Sequence, residues 1–437
     1  MKRVVISISL VLVLGMTQVQ AQELTPYQLS LEKAIEMGLQ NHQALKIAEA
    51  QVQLGEQQVT VAKLQQLPTV TFSANAFYLS DATLLDTDWS KLQTVDMPNF
   101  GNTFALQASQ LLYKGGVIKK SVEMAELQQQ LAELSLTSDI QDIKFLIISN
   151  YLDIIKLLNQ LQVLEQNKTL AEQVHDNITN LLKENMVTRN EVIRAELQIK
   201  NLEQAILTMN HNHAIMSNRL SYALGLPTDV LIIPTEDLHI DLIERSQNEY
   251  INVALQEHPA LWVSEKNVEI AEKNIDITKA NQFPSISLFG GYNMQRPVTS
   301  STPAMDLYNN VWQAGVSVNF NIDNLFKSKQ RVSSSRLQAA ISQEALVYTQ
   351  QNVETGVVAA FLKFKEAQQQ MLLMEEAKVL ANENYEIVRA KYLNQLAITA
   401  EMTDASNAKL QTELECSNTA INALFQYYNL LKSTGSL

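Results

Sequence analysis

The chain has 437 residues, 46% of them hydrophobic, and a formal net charge of −13, a balance that argues against nucleic acid or an anionic membrane surface as partner. Its 12 glycines and 9 prolines are few for that length, so long elements are expected, and a single cysteine, Cys416, excludes an intrachain disulfide.

Residues 1–21 read as a secretory leader, with Lys2-Arg3, an apolar run over 4–14 and a small-residue exit at Val19-Gln20-Ala21. Removing them takes away two basic residues and no acidic one, which carries the charge from −13 to −15. No cysteine follows the cleavage point to carry a lipid, and no later stretch approaches the roughly 18 apolar residues of a membrane helix. A secreted chain without such a helix is either soluble or crosses an outer membrane as a β-barrel.

The first structural segment covers 22–226. Its apolar spacing predicts a helix over 31–66 that stops at Pro68. An alternating run follows, with Val70, Phe72, Ala74, Ala76 and Tyr78 against Thr69, Thr71, Ser73 and Asn75, which is a strand with one apolar face. The polar, acidic stretch 80–102 is read as a loop, and a second alternating run sets Phe104, Leu106 and Ala108 against Thr103, Gln107 and Ser109. From residue 117 to 224 no proline and no glycine interrupts the chain. Leu127, Leu131, Leu134, Ile140, Ile143, Ile147, Tyr151 and Ile154 recur every three or four positions, so the stretch reads as a helical hairpin. It turns at 184–190, where Asn185 can take the left-handed conformation that glycine usually supplies. The outgoing arm of about 65 residues reaches about 100 Å and must lie against helices of similar length.

Residues 227–248 have mixed character and form a connection outside the main pattern. The order of elements then repeats over 249–437. Gly-Leu-Gln-Asn-His-Gln-Ala-Leu-Lys at 38–46 corresponds to Ala-Leu-Gln-Glu-His-Pro-Ala-Leu-Trp at 254–262, and the same offset carries Pro68 onto Pro284. Two further alternating runs, at 285–293 and 312–321, precede a second helical arm to about Tyr392, a turn at 393–399 and a return over 400–431.

Four strands are too few for a single-chain membrane barrel, which needs about eight, so they must close across copies. Three copies would supply 12 strands, and Tyr78, Phe104, Tyr292, Trp312 and Phe320 are candidate interfacial aromatics.

The chain resembles the TolC family of outer-membrane efflux and export channels along nearly its whole length. The resemblance rests on Ser30-Leu31-Glu32-Lys33-Ala34-Ile35 with Asn41 and Leu45, and on the strand-to-helix joint Leu112-Tyr113-Lys114-Gly115-Gly116. It also rests on the turn from Val187-Thr188-Arg189-Asn190-Glu191 to Ala195 and on Leu224-Gly225-Leu226-Pro227. It implies a mainly helical fold with a β-barrel contribution. Long antiparallel hairpins form an α-barrel, and four transmembrane strands per protomer close as a homotrimer with a 12-strand barrel in outer-membrane lipid. It further implies an exit duct that reaches into the periplasm and works with an adaptor protein and an inner-membrane transporter, with neither cofactor nor enzymatic chemistry.

By the same resemblance, Glu401 and Asp404 match an acidic ring that narrows the pore, and their i, i+3 spacing puts both on one helix face. Tyr392 matches a gate tyrosine, for which Glu191 of an adjacent hairpin is the candidate acceptor. Two departures touch the lock: Ala397 stands where some members carry an arginine, and Gln395 and Asn185 stand at turn glycines. The tips, Asn185-Met186-Val187-Thr188 and Gln395-Leu396-Ala397-Ile398, match the adaptor-docking loops. Among the remaining signals, His211 and His213 point to different helix faces and suit no metal, His42 and His258 are assigned to packing, and Cys416 to the core. No phosphate loop, dinucleotide fingerprint or nucleophile elbow is present. Two other functions share these features: a type I protein-secretion exit, and a soluble periplasmic coiled-coil tether.

Overall fold

A computed structural model describes residues 25–235, 245–300, 304–394 and 396–437. The expected leader and Gln395 lie outside the described residues. In chain order the elements are β1 (Thr25–Leu29), α1 (Leu31–Asn41), α2 (Gln43–Leu64), β2 (Thr69–Tyr78), β3 (Ala82–Leu85), β4 (Lys91–Val95), β5 (Phe100–Tyr113), α3 (Val117–Lys183) and α4 (Arg189–Leu224). There follow β6 (Val230–Pro234), α5 (Gln247–Glu257), α6 (Pro259–Ala280), β7 (Ser285–Arg296), β8 (Asn309–Asn319), α7 (Asn324–Leu393) and α8 (Thr399–Thr434). The chain forms two compact units, one from Met1–Gly38, Ile147–His239 and Met374–Ile421, the other from Leu39–Leu146, Ile240–Leu373 and Asn422–Leu437. Among the described residues no helix is long and apolar enough to cross a membrane.

Four expectations are corrected. The helix foreseen over 31–66 is two helices, because His42 leaves helical geometry and its Nδ1 accepts the Ala44 N–H at 3.2 Å, capping α2. His258 does the same for α6, accepting from Ala260 at 3.2 Å with Pro259 in the first turn, where its missing N–H costs nothing. The repeat-related histidines are therefore helix caps, and burial pushes the His258 ring below the usual histidine range. The stretch 80–102 is not all loop, since β3 and β4 pair as a small hairpin within it. Cys416 is half-buried rather than a core residue.

The unit that holds the gate-matching residues contains a parallel pair, β1 with β6. Neither strand is legible from the sequence, because five residues with a proline in each are too short to show a period. They are tied down by polar side chains: Ser217 Oγ accepts the Ile232 N–H at 3.1 Å, His213 Nε2 donates to the Ile232 carbonyl at 2.8 Å, and the Tyr151 hydroxyl donates to Leu29 O at 2.8 Å. Part of the connection 227–248 is thus a paired strand; residues 236–244 lie outside the described residues.

In the other unit, Tyr250, Leu261, Val357, Phe364, Tyr427 and Leu430 form one apolar cluster, and Val59, Ala62, Val122 and Ala125 a second. Here α5 starts with a capping box, Ser246 accepting from Glu249 N while Glu249 Oε2 accepts from Ser246 N. The four long strands form an antiparallel sheet in the order β2-β5-β7-β8. Its register lines up the alternating apolar runs of the four strands on one face. Val70, Ala108, Gly290 and Ala314 lie in one rung, and Phe72, Leu106, Tyr292 and Trp312 in the next on that face. The other face carries mostly hydroxyl and amide side chains, with Phe77, Ala105, Leu111, Phe289 and Val311 among them.

Candidate functional site

Two surfaces are candidates: the hairpin tips and the faces and edges of the sheet. At the first tip α3 ends in a paired-bond cap. Asn185 adopts φ +60°, its N–H bonds to Leu182 O at 2.9 Å and the Met186 N–H reaches back to Leu181 O at 2.9 Å. At the second tip the outer bond recurs, from Leu396 N to Lys391 O at 2.8 Å. Both tips thus close with the same backbone bond although neither sequence has a glycine there.

The tips share one apolar cluster. Ile178, Tyr385, Tyr392 and Met402 are buried in it, with Val174, Val187, Val192, Ala195, Val388 and Ala397 packed around them. Of the predicted docking residues, Val187 and Ala397 therefore turn inward. Met186, Leu396 and Ile398 remain exposed, at 54%, 77% and 66% of their surface, beside exposed Asn185 and Thr188. The cluster encloses a cavity of about 40 Å³ lined by Ile178, Arg194, Tyr385, Tyr392, Thr399 and Met402, room for a water or two.

Within the chain the expected contact between Tyr392 and Glu191 is not made. Tyr392 is buried among apolar side chains, and its hydroxyl lies 3.4 Å from Thr399 Oγ1, across its own turn. Glu191 Oε2 is buried without a hydrogen-bond partner among the described residues, an uncompensated burial that costs free energy unless another group reaches it. Thr399 was missed in the sequence, where only its position seven residues beyond Tyr392, over the turn, marked it. Glu401 and Asp404 are exposed on α8, beside buried Met402 and Ala405. Above the tips, polar pairs hold the arms together: Asn167 donates to Glu413 at 2.9 Å, Gln160 to Asn418 at 2.6 Å, and the Lys409 ammonium lies 4.6 Å over the Tyr385 ring.

The sheet is built to be covered on one face and open on the other. Phe72, Tyr78, Trp312 and Val318 on the apolar face are 66–77% exposed, an area that water does not tolerate on a folded monomer. The opposite face has no Asp, Glu, Lys or Arg; in the four strands Arg296, the last residue of β7, is the single charge, and Asp306 holds it at 2.7 and 2.9 Å. Two aromatic rings on that face lie over glycines, Phe77 over Gly101 and Phe289 over Gly315, filling the space of an absent side chain. Strands β2 and β8 are both edges with unpaired backbone, and they run antiparallel to one another. Among the described residues there is no cluster of three or more metal-ligating side chains.

Comparison with known proteins accounts for this arrangement. The family model described as outer membrane efflux protein matches residues 34–226 and 250–436. Nodulation protein T of Rhizobium leguminosarum bv. trifolii is 22% identical over 321 residues, which is 71% of this chain and 65% of the relative. The outer membrane efflux protein BepC of Brucella suis biovar 1 is 21% identical over 412 residues, 93% of this chain and 86% of the relative. Among solved structures, CusC superposes with a TM-score of 0.77 at 17% identity, over 93% of this chain and 92% of that one. The chain belongs to the outer membrane efflux protein family and has the fold of the TolC-like channels.

Proposed function

We propose that this member of the outer membrane efflux protein family forms a homotrimeric exit duct in the bacterial outer membrane. Three sheets close edge to edge, β8 of one copy against β2 of the next, as a 12-strand barrel. Segments 22–226 and 249–437 are its two repeats, joined by 227–248. The observation that carries this reading is the sheet itself: an exposed apolar face, an uncharged polar face and two unpaired edges whose directions already suit antiparallel closure. A soluble tether would leave that apolar face and both edges in water.

The duct passes small molecules delivered by an inner-membrane transporter through a periplasmic adaptor. Met186, Leu396 and Ile398, with Asn185, Thr188 and the tip backbone, form the adaptor surface. Glu401 and Asp404 of three copies supply six carboxylates at the periplasmic constriction, and Tyr392 with Thr399 holds each tip closed. Glu191, unsatisfied within its own chain, takes its partner from the neighbouring copy.

Because the strands contribute no lumenal charge, ion selection falls to those carboxylates. Detergent-purified protein in planar bilayers is expected to form cation-selective pores, and Glu401→Ala with Asp404→Ala to bring selectivity close to the ratio of free ion mobilities. Pores with unchanged selectivity would move the constriction elsewhere, and a protein that stays soluble without detergent and makes no pores would overturn the duct.

A further inference from the structure

We infer that the joint between β5 and α3 is a binding site for the headgroup of an anionic glycerophospholipid; this rests on the outer-membrane reading above. A β-bulge between Leu111 and Tyr113 resets the alternation of β5, so that Tyr113 pairs with Ile286 and joins it, and Val318 of β8, in the last rung of the apolar face before the helices. Immediately beyond lies a cleft of about 300 Å³ lined by Gln110, Tyr113, Lys114 and Lys119. An aromatic ring at the end of a lipid-facing surface, followed at once by cations, is the chemistry of a headgroup layer.

Three details favour an anionic lipid over a cleft that merely faces water. Lys119 is 85% exposed and meets Glu123 only at 3.9 Å, while Lys114 has no ion-pair partner among the described residues. Lys114 is therefore free of an ion pair and Lys119 only weakly engaged, in a chain whose net charge is −13. Gln110 projects from the same apolar face, one rung in, and its Oε1 is buried without a hydrogen-bond donor; its Nε2 donates to Leu111 O at 3.2 Å. A headgroup with a phosphate for the lysines and a hydroxyl donor for Gln110 satisfies both. Strand β5 is interior to the sheet, flanked by β2 and β7, so the cleft stands away from the edges where copies would meet and stays open to lipid.

The test titrates lipid-stripped, detergent-purified protein with dioleoylphosphatidylglycerol or dioleoylphosphatidylcholine and counts bound lipid by native mass spectrometry. Wild type is expected to prefer phosphatidylglycerol. The preference should fall about fivefold for each of Lys114→Gln and Lys119→Gln, persist in the Lys114→Arg/Lys119→Arg pair and be unaffected by Lys378→Gln, which alters an exposed lysine of α7 outside the cleft. Equal binding of the two lipids by wild type, or a preference that survives the glutamine pair, overturns the inference. Pore formation is recorded in parallel: protein that conducts but shows no preference overturns the lipid site alone, whereas protein that neither conducts nor holds lipid overturns the duct as well.

Discussion

The two longest helices, α3 with 67 residues and α7 with 70, follow the strands in the same way yet are covered differently. Along α3 one large hydrophobic residue is exposed, Leu146, while Ile147, Ile148, Tyr151, Leu152 and Ile154 are buried at 0 or 1%. Along α7 thirteen are exposed, among them Leu337, Ile341 and Tyr348 at 60–65%, spaced four and seven apart on one stripe. One helix is a core element of its own chain; the other carries an apolar stripe that the chain does not cover. In the proposed trimer that difference assigns the subunit contact to α7, since a stripe of that length is covered by further copies or is an aggregation liability.

The largest expected effect comes from breaking the covered helix. Ile147→Asp puts a carboxylate with no counter-charge at a site with no solvent access, and outer-membrane fractions should contain no assembled protein. The same chemistry on the uncovered helix should separate folding from assembly. Ile341→Glu with Tyr348→Glu is expected to retain the helical circular dichroism signal while sedimentation in detergent shows single chains in place of trimers; trimers that persist would remove α7 from the contact.

Where the two helices share one cluster, smaller effects should fall on both alike. Ile178→Ala from α3 removes a fully buried side chain and is expected to cost about 2 to 4 kcal/mol, read as a lowered unfolding temperature. Tyr392→Phe from α7 loses only the hydroxyl contact to Thr399, about 1 kcal/mol, and should raise the open fraction of single channels with little change in unfolding temperature. An equal thermal loss from both would make the tip a structural plug rather than a gate.

The smallest effect tests the cap that the sequence did not reveal. His258→Ala should cost about 1 kcal/mol at neutral pH through loss of the bond from Ala260. Nδ1 can accept that bond only when the ring is neutral, and burial already lowers the ring's pKa. The unfolded chain therefore binds the proton more readily. The contribution is complete above the unfolded value of about 6.5 and fades as pH falls toward the lower folded value. Wild type should lose thermal stability across that window, and the alanine variant should show a shallower slope.

Local sequence signals supplied the parts list. The absence of glycine and proline over 117–224, the period-two runs after Pro68 and Pro284, and the correspondence of residues 38–46 with 254–262 set the long helices, four of the strands and the duplicated order, because period and chain breakers are local properties that a residue's neighbours reveal. Asn185 at the left-handed turn was legible for the same reason. Long-range packing set whatever depends on partners far along the chain. The pairing of β1 with β6 across some 200 residues, the inward turn of Val187 and Ala397, and the contact of Tyr392 with Thr399 across its own turn leave no periodic trace. The unequal cover of α3 and α7 is the plainest case: their apolar residues recur at the same spacing, and only packing distinguishes a stripe that meets its own chain from one that does not.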